Sequence, residues 1–260
     1  MKKHFVVVLL CVGTFFGCQK KESVAPPSNS NSQTAALREN NWENLCNIPN
    51  SNNEYDSAGY HYNRMVAICE DAGHSDMSIE QVYNLTDSIL QTEYGDQLIS
   101  GFSAESYASP ILDSFQNEVA IRNYINALET TTLQKDELQN LLDIMLTYDG
   151  TNLCDVIADI KSFENNLLTL HNSEDIEIVL IASSVGRYSL AYWHSRLDDG
   201  NGQKTTSFWK KFFIGACDAI GAAGGALAGS ATVVGGIAGG VAGGLAASNG
   251  AATLWNHFAN

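Results

Sequence analysis

Histidine, cysteine and paired carboxylates are the side chains of this chain whose chemistry could go beyond packing. His61 lies in Tyr60-His61-Tyr62-Asn63, upstream of Glu70-Asp71. An imidazole near a carboxylate can act as a general base or a metal ligand. On a helix and between two tyrosines, the plainer expectation is a half-buried structural histidine. His171 and His194 fall near predicted helix ends, where the helix dipole favours charged imidazole. Glu70-Asp71 and Asp198-Asp199 read as solvated acidic faces. The chain has no Gly-x-Ser-x-Gly elbow and no His-Glu-x-x-His pair, the arrangements that expose a nucleophile or hold a catalytic zinc. It has no Cys-x-x-Cys and no Asp-x-Asp-x-Asp-Gly loop either. The expectation is a protein that is not an enzyme and holds no metal or cofactor.

Cys18 suggests a different chemistry, acylation of its sulfur. Lys2 and Lys3 precede a short apolar stretch, Phe5 to Phe16, which ends in Phe15-Phe16-Gly17-Cys18. A basic start, a short apolar run and a small residue before the cleavage point make a secretory signal. Gly17-Cys18 resembles the lipobox of bacterial lipoproteins, with Phe15 and Phe16 where that motif usually has Leu and Ala or Ser. The resemblance implies a signal peptide over 1–17, a lipidated Cys18 and a protein of the cell envelope. Gln19 after the cysteine points to the outer membrane, facing the periplasm or the surface. Residues 18–53 are rich in Ser, Asn, Gln and Pro, a composition expected to form a flexible tether.

Export permits disulfides. Cys46, Cys69, Cys154 and Cys217 follow Cys18. Cys217 opens an apolar stretch, so a pairing of Cys46 with Cys69 or with Cys154 is favoured; free buried thiols are the alternative.

The last part of the chain has a four-residue repeat: Val233-Val234-Gly235-Gly236, Ile237-Ala238-Gly239-Gly240, Val241-Ala242-Gly243-Gly244. Gly221, Gly225 and Gly229 precede it at the same spacing. On a helix, glycine at every fourth position makes a groove into which another backbone can pack. In water each such glycine costs about 1 kcal/mol relative to Ala, so the segment calls for a hydrophobic environment or a packed partner. It splits into two halves of about 15 residues, roughly 22 Å each as helix, against a hydrocarbon core of roughly 30 Å. Trp209, Lys210 and Lys211 ahead of it suit a membrane interface, with rings at headgroup level and amines snorkelling.

The middle of the chain supplies the frame. Apolar residues recur at helical spacing from 54 to 199, for example Leu138, Leu141, Leu142 and Met145, then Val156, Ile157, Ile160 and Leu167. Six helices are predicted. The first is capped at Asp56 or Ser57, the second follows Ser78, and the third runs from Pro110 through Val119 to Leu128. The others are capped at Thr132, Asn152 and Ser173. The fold class is therefore all-α: an irregular helical bundle over 54–199, a linker over 200–208, and a Gly/Ala-rich tail over 209–260. That tail is either a helical hairpin or a membrane-associated segment.

The net charge is -15, from 14 Lys+Arg and 29 Asp+Glu; without Lys2 and Lys3 it falls to -17. Such a chain offers no basic patch for phosphates, so nucleic acid is not an expected partner.

The tail, from about Trp209 to Ala252, resembles the glycine-zipper segments of bacterial envelope lipoproteins and the Gly/Ala-rich peptides of class II bacteriocins. The layout, with Asn53-Glu54-Tyr55-Asp56 opening the helical domain, is similar to exported lipoproteins of the Bacteroidetes type. These resemblances imply membrane lipid as a partner and self-association of the chain through its tail. The alternatives are a bacteriocin-like membrane-active protein, or a soluble binding module with a docked Gly/Ala hairpin.

Overall fold

The computed structural model describes residue 42 and residues 45–71, 79–95, 101, 103–108, 117–196, 204–229 and 238–244. These residues are all-α, 80% helical and without strands. The helices are α1 (Ser57–Asp71), α2 (Ile79–Tyr94), the short α3 (Ala104–Ala108), α4 (Glu118–Ala127), α5 (Thr132–Met145) and α6 (Leu153–Leu170). A 3-10 turn, Ser173–Ile176, runs directly into α7 (Glu177–Ser195); α8 (Lys204–Gly229) and α9 (238–244) follow.

Local chemistry explains where several helices begin. The Asn117 side chain accepts a hydrogen bond from the Ala120 amide at 2.9 Å and caps α4. That start lies after the expected Pro110, and Val119, expected in the core, is 67% exposed. Thr131, one residue before the expected cap, accepts from the Gln134 amide at 3.2 Å and starts α5. Asn152 stands at the head of α6 but turns its side chain back to the preceding loop, accepting from the Asp149 amide at 3.0 Å. Gly150 in that loop has φ 95, the left-handed region that glycine enters without strain.

α7 is the axis of the molecule. Every residue from Ile178 to Tyr192 is buried. A helix buried on all sides needs neighbours on all sides. Its largest contact is with α8, the next with α1, and it also packs on α5, α6 and the 3-10 turn. Gly59 lets α1 come close: a Cβ there would sit 2.5 Å from the Ser184 carbonyl oxygen and 2.7 Å from its Oγ.

The C-terminal glycines do the same work. A Cβ on Gly225 would overlap the carbonyl oxygen of Gly239, and a Cβ on Gly243 would overlap that of Gly221. α8 and α9 therefore meet backbone to backbone. The neighbouring glycine column points elsewhere: a Cβ on Gly240 would lie 2.7 Å from Ile181 Cγ2, and one on Gly244 would lie 2.9 Å from Tyr62 Cε2. The period of four thus gives α9 two smooth faces, one for α8 and one for α7 and α1.

One boundary differs from the sequence expectation. α8 begins at Lys204, inside the span read as a linker. Ile214, Cys217, Ile220, Ala223, Ala238 and Val241 share one buried cluster with Leu138, Ile160 and Tyr192. The described part of the tail is a layer of the bundle, because its glycines leave no side chains to hold the backbones apart. No helix among the described residues is long and apolar enough to cross a membrane.

These contacts separate glycines that must stay glycine from one that need not. A Cβ on Gly215 would meet nothing closer than 3.5 Å. Gly215→Ala should be neutral or stabilising by up to about 1 kcal/mol through helix propensity. Gly243→Ala should destabilise by about 1–3 kcal/mol, because backbone must move to admit the methyl. Urea denaturation midpoints of the two variants check the contrast.

Candidate functional site

Burying α7 creates a demand that its sequence must meet. Ser183, Ser184, Arg187 and Ser189 are fully buried on it, and buried polar groups are costly unless hydrogen-bonded. Ser183 and Arg187 turn to Glu164 of α6, Ser184 to Asp56 before α1, and Ser189 to Asp218 of α8.

Arg187 and Glu164 form the centre. Both side chains are 0% exposed, and Arg187 Nη2 lies 3.0 Å from Glu164 Oε1. Arg187 Nη2 also donates to Asp56 Oδ1 at 2.5 Å, and Nη1 donates to the Ile48 carbonyl oxygen. Glu164 accepts from Asn50 Nδ2 at 2.6 Å, Asn53 Nδ2 at 3.0 Å and Ser183 Oγ at 2.6 Å. The Tyr188 hydroxyl donates to Asp56 Oδ2 at 3.1 Å, and Asn63 Nδ2 donates to the Tyr188 carbonyl oxygen at 2.6 Å. Burial draws the Arg187 pKa down; the Glu164 and Asp56 carboxylates draw it up by more, leaving it above the ordinary arginine value. The hydrogen bonds around Glu164 and Arg187 offset part of the cost of burying them.

A second cluster joins α7 to α8. Asp218, 0% exposed, accepts from Ser189 Oγ at 2.5 Å and from Trp193 Nε1 at 3.0 Å. Beside it Cys217 is free and buried, and its thiol is raised well above its ordinary pKa by burial and then by Asp218. A thiol held protonated in this way is a poor nucleophile.

A third cluster reaches the surface. Glu54, Glu174 and Glu177 surround Tyr55. The Tyr55 hydroxyl is pushed up to about 12, by burial first and then by these carboxylates. Glu177 is raised by burial and by Glu54 and Glu174.

The sequence-nominated residues distribute as follows. Cys46 pairs with Cys154, with Cα atoms 5.4 Å apart. Cys69 lies in α1, its side chain outside the described residues. Gly221, Gly225, Gly239, Gly240, Gly243 and Gly244 lie in the α7–α8–α9 contact, and Gly229 is the buried last residue of α8. Gly235, Gly236 and Cys18 lie outside the described residues. Trp209, Lys210 and Lys211 belong to α8, but their side chains are not described. His61 is half-buried, with its ring edge-on to Tyr60 at 5.6 Å. His194 Nδ1 shares a hydrogen bond with the Tyr148 hydroxyl. Among the described residues no group of His, Cys, Asp or Glu has the arrangement of a metal site.

The span read as tether needs a correction. Trp42 and Ile48 are buried, and Asn50 and Asn53 hydrogen-bond to Glu164. From at least residue 45 the chain is part of the domain. The Arg187 network was missed in the sequence; its signal was one arginine inside an otherwise apolar and small-residue helix, with two asparagines and an aspartate far upstream to meet it.

What this site can do is hold. Arg187 and Glu164 are sealed and Asp56 is partly exposed, and together they tie the segment before α1 to α6 and α7. Comparison of the chain with protein-family models, with curated proteins and with solved structures finds no match.

Two outcomes follow. Arg187→Met should cost about 3–5 kcal/mol, because it leaves Glu164 buried without its cation; pairing it with Glu164→Gln, which removes the charge and keeps an acceptor for Asn50, Asn53 and Ser183, should recover part of the loss. Urea unfolding of the single and double variants measures this.

The Glu177 pKa is raised in the folded chain, so its contribution to stability is full below the unfolded carboxylate pKa. That contribution is lost as pH rises through the folded value. Glu177→Gln should therefore raise the urea midpoint at pH 7, and the difference from the parent should vanish near about pH 4.

Proposed function

We propose that this chain is an exported, lipid-anchored helical module of the cell envelope, held through Cys18, and that its glycine-rich segment is an internal strut. The observation that carries the reading is the use of both glycine columns inside the molecule. Gly239 and Gly243 pack on Gly225 and Gly221, and Gly240 and Gly244 pack on Ile181 and Tyr62. A surface filled by the same chain is not free to enter lipid or to join a second copy. The acidic charge of -15 suits a domain that stays in water beside an anionic membrane rather than on it. The role that fits is non-enzymatic: a tethered binding module whose surface, rather than a cleft, meets its partner. Anchoring then falls to the acyl chains on Cys18 and not to the tail.

The rival reading, a bacteriocin-like membrane-active protein, requires α9 to leave α8. Both readings are tested by the protein lacking residues 1–18. We expect it to be monomeric by light scattering without detergent and to release no dye from phospholipid vesicles, whether zwitterionic or anionic. In the producing cell, Cys18→Ser should move the full chain out of the membrane fraction. Dye release, detergent dependence, or a Cys18→Ser protein that stays with membranes would contradict the proposal.

A further inference from the structure

The cluster at the head of α7 is built unlike the Arg187 network: it gathers negative charge and holds no cation. Glu174 and Glu177 lie three residues apart where the 3-10 turn enters α7, and Glu54 precedes Tyr55 on the turn into α1. The Tyr55 hydroxyl lies within electrostatic reach of all three carboxylates. None of them forms an ion pair among the described residues. Tyr55 is only 2% exposed, and its hydroxyl makes no hydrogen bond to the described residues. Glu177 Oε1 is buried and has no hydrogen-bond partner. Glu54 and Glu174 are exposed and Glu177 is half-buried, so the cluster opens to solvent.

The core holds these groups in place. The Tyr55 amide donates to Asn53 Oδ1 at 2.9 Å, and Asn53 Nδ2 is tied to Glu164 and to the Leu180 carbonyl oxygen, each at 3.0 Å. On the other side, Gln134 Nε2 donates to the Asp175 carbonyl oxygen at 3.0 Å, and Ile176 is fully buried. The dipole of α7 accounts for carboxylates in its first turn. It does not account for an unbonded phenol buried among them, nor for a buried carboxylate oxygen without a donor, and both cost the fold. Fixed, unpaired acceptors of one charge are preorganised for a donor of the other. An ammonium carries three N–H donors on one positive charge. Glu177 Oε1, the Tyr55 hydroxyl oxygen and one exposed carboxylate supply acceptors for them. Among the described residues the carboxylates do not have the arrangement of a metal site.

We propose that Glu54, Glu174 and Glu177, set around the Tyr55 hydroxyl, receive one primary ammonium group, that of a lysine side chain on a partner protein or of a free diamine. The inference rests on the reading of this chain as a binding module and says where its surface makes contact. It does not rest on the anchor at Cys18.

The backbone amide signals of residues 54–55 and 174–177 report binding to the full chain, at low and constant ionic strength. The probes are N-acetyl-lysine amide, 1,4-diaminobutane and tetramethylammonium, a cation without N–H donors. Saturable shifts with the ammonium probes and none with tetramethylammonium are expected. Tighter binding of the lysine amide points to a protein partner, and tighter binding of the diamine to a free amine. Tyr55→Phe should bind the tighter probe about three- to ten-fold more weakly. It should keep the parent urea midpoint, because the hydroxyl removed makes no bond in the fold. Glu177→Gln should bind about ten-fold more weakly, through loss of a charged acceptor. No saturable shift with either ammonium probe would overturn the proposal. An equal shift with tetramethylammonium would overturn it too, since screening alone would explain it. Tyr55→Phe or Glu177→Gln binding as the parent does would also refute it. Neither result bears on the fractionation of Cys18→Ser, so the two readings fail separately.

Discussion

A helix buried on every side is the constraint on which the rest of this structure depends. Apolar burial drives α7 into the centre, but its serines and Arg187 cannot enter unaccompanied. Each must find a partner outside the helix, and those partners fix the neighbours. Glu164 fixes α6. Asp56, together with the Ser184 hydroxyl that donates to its carbonyl oxygen at 2.8 Å, fixes the start of α1. Asp218 fixes α8. The polar groups contribute less by their net energy than by what misplacement would cost, since an unpaired buried charge is among the most destabilising things a core can contain. One arrangement satisfies them all, so register and orientation are set together.

The glycine repeat meets the same constraint by removal. α7 makes its largest contact with α8, and α9 must fit against α8, α7 and α1 together. Large side chains would hold α9 off, whereas glycines let it lie against two surfaces at once. The cost in helix propensity, about 1 kcal/mol for each glycine, is offset only by contact, so the repeat folds where partners exist. Glycine spacing used in membranes to bring helices together serves here to bring α8 and α9 of one chain together in its core.

Much of the frame was legible in the sequence. The stripes Leu138, Leu141, Leu142, Met145 and Val156, Ile157, Ile160, Leu167 are apolar at helical spacing, and the structure buries them all. Helix starts were less legible by a residue or more. Thr131 and Thr132 are equally good caps in sequence, and only the fold chooses between them. The Arg187 network was not legible, because Asp56 and Glu164 are far apart along the chain and look like any surface acids. The packing of residues 45–53 was hidden by composition: a Ser- and Asn-rich stretch reads as tether, although Trp42 and Ile48 mark where packing resumes. The repeat showed clearly that close packing was needed. What it packs against was invisible, since a period of four describes a surface and not its occupant.

The central claim is that α9 is docked on α7 and α1 of its own chain. Nuclear Overhauser contacts in detergent-free solution test it most directly, with Tyr62, Ile181 and the glycines selectively labelled. Cross-peaks are expected from the Gly244 α protons to the Tyr62 ring and from the Gly240 α protons to an Ile181 methyl, because a Cβ at those glycines would lie 2.9 Å and 2.7 Å from these groups. Glycine α protons that show only sequential contacts, in a monomeric and otherwise folded protein, would contradict it.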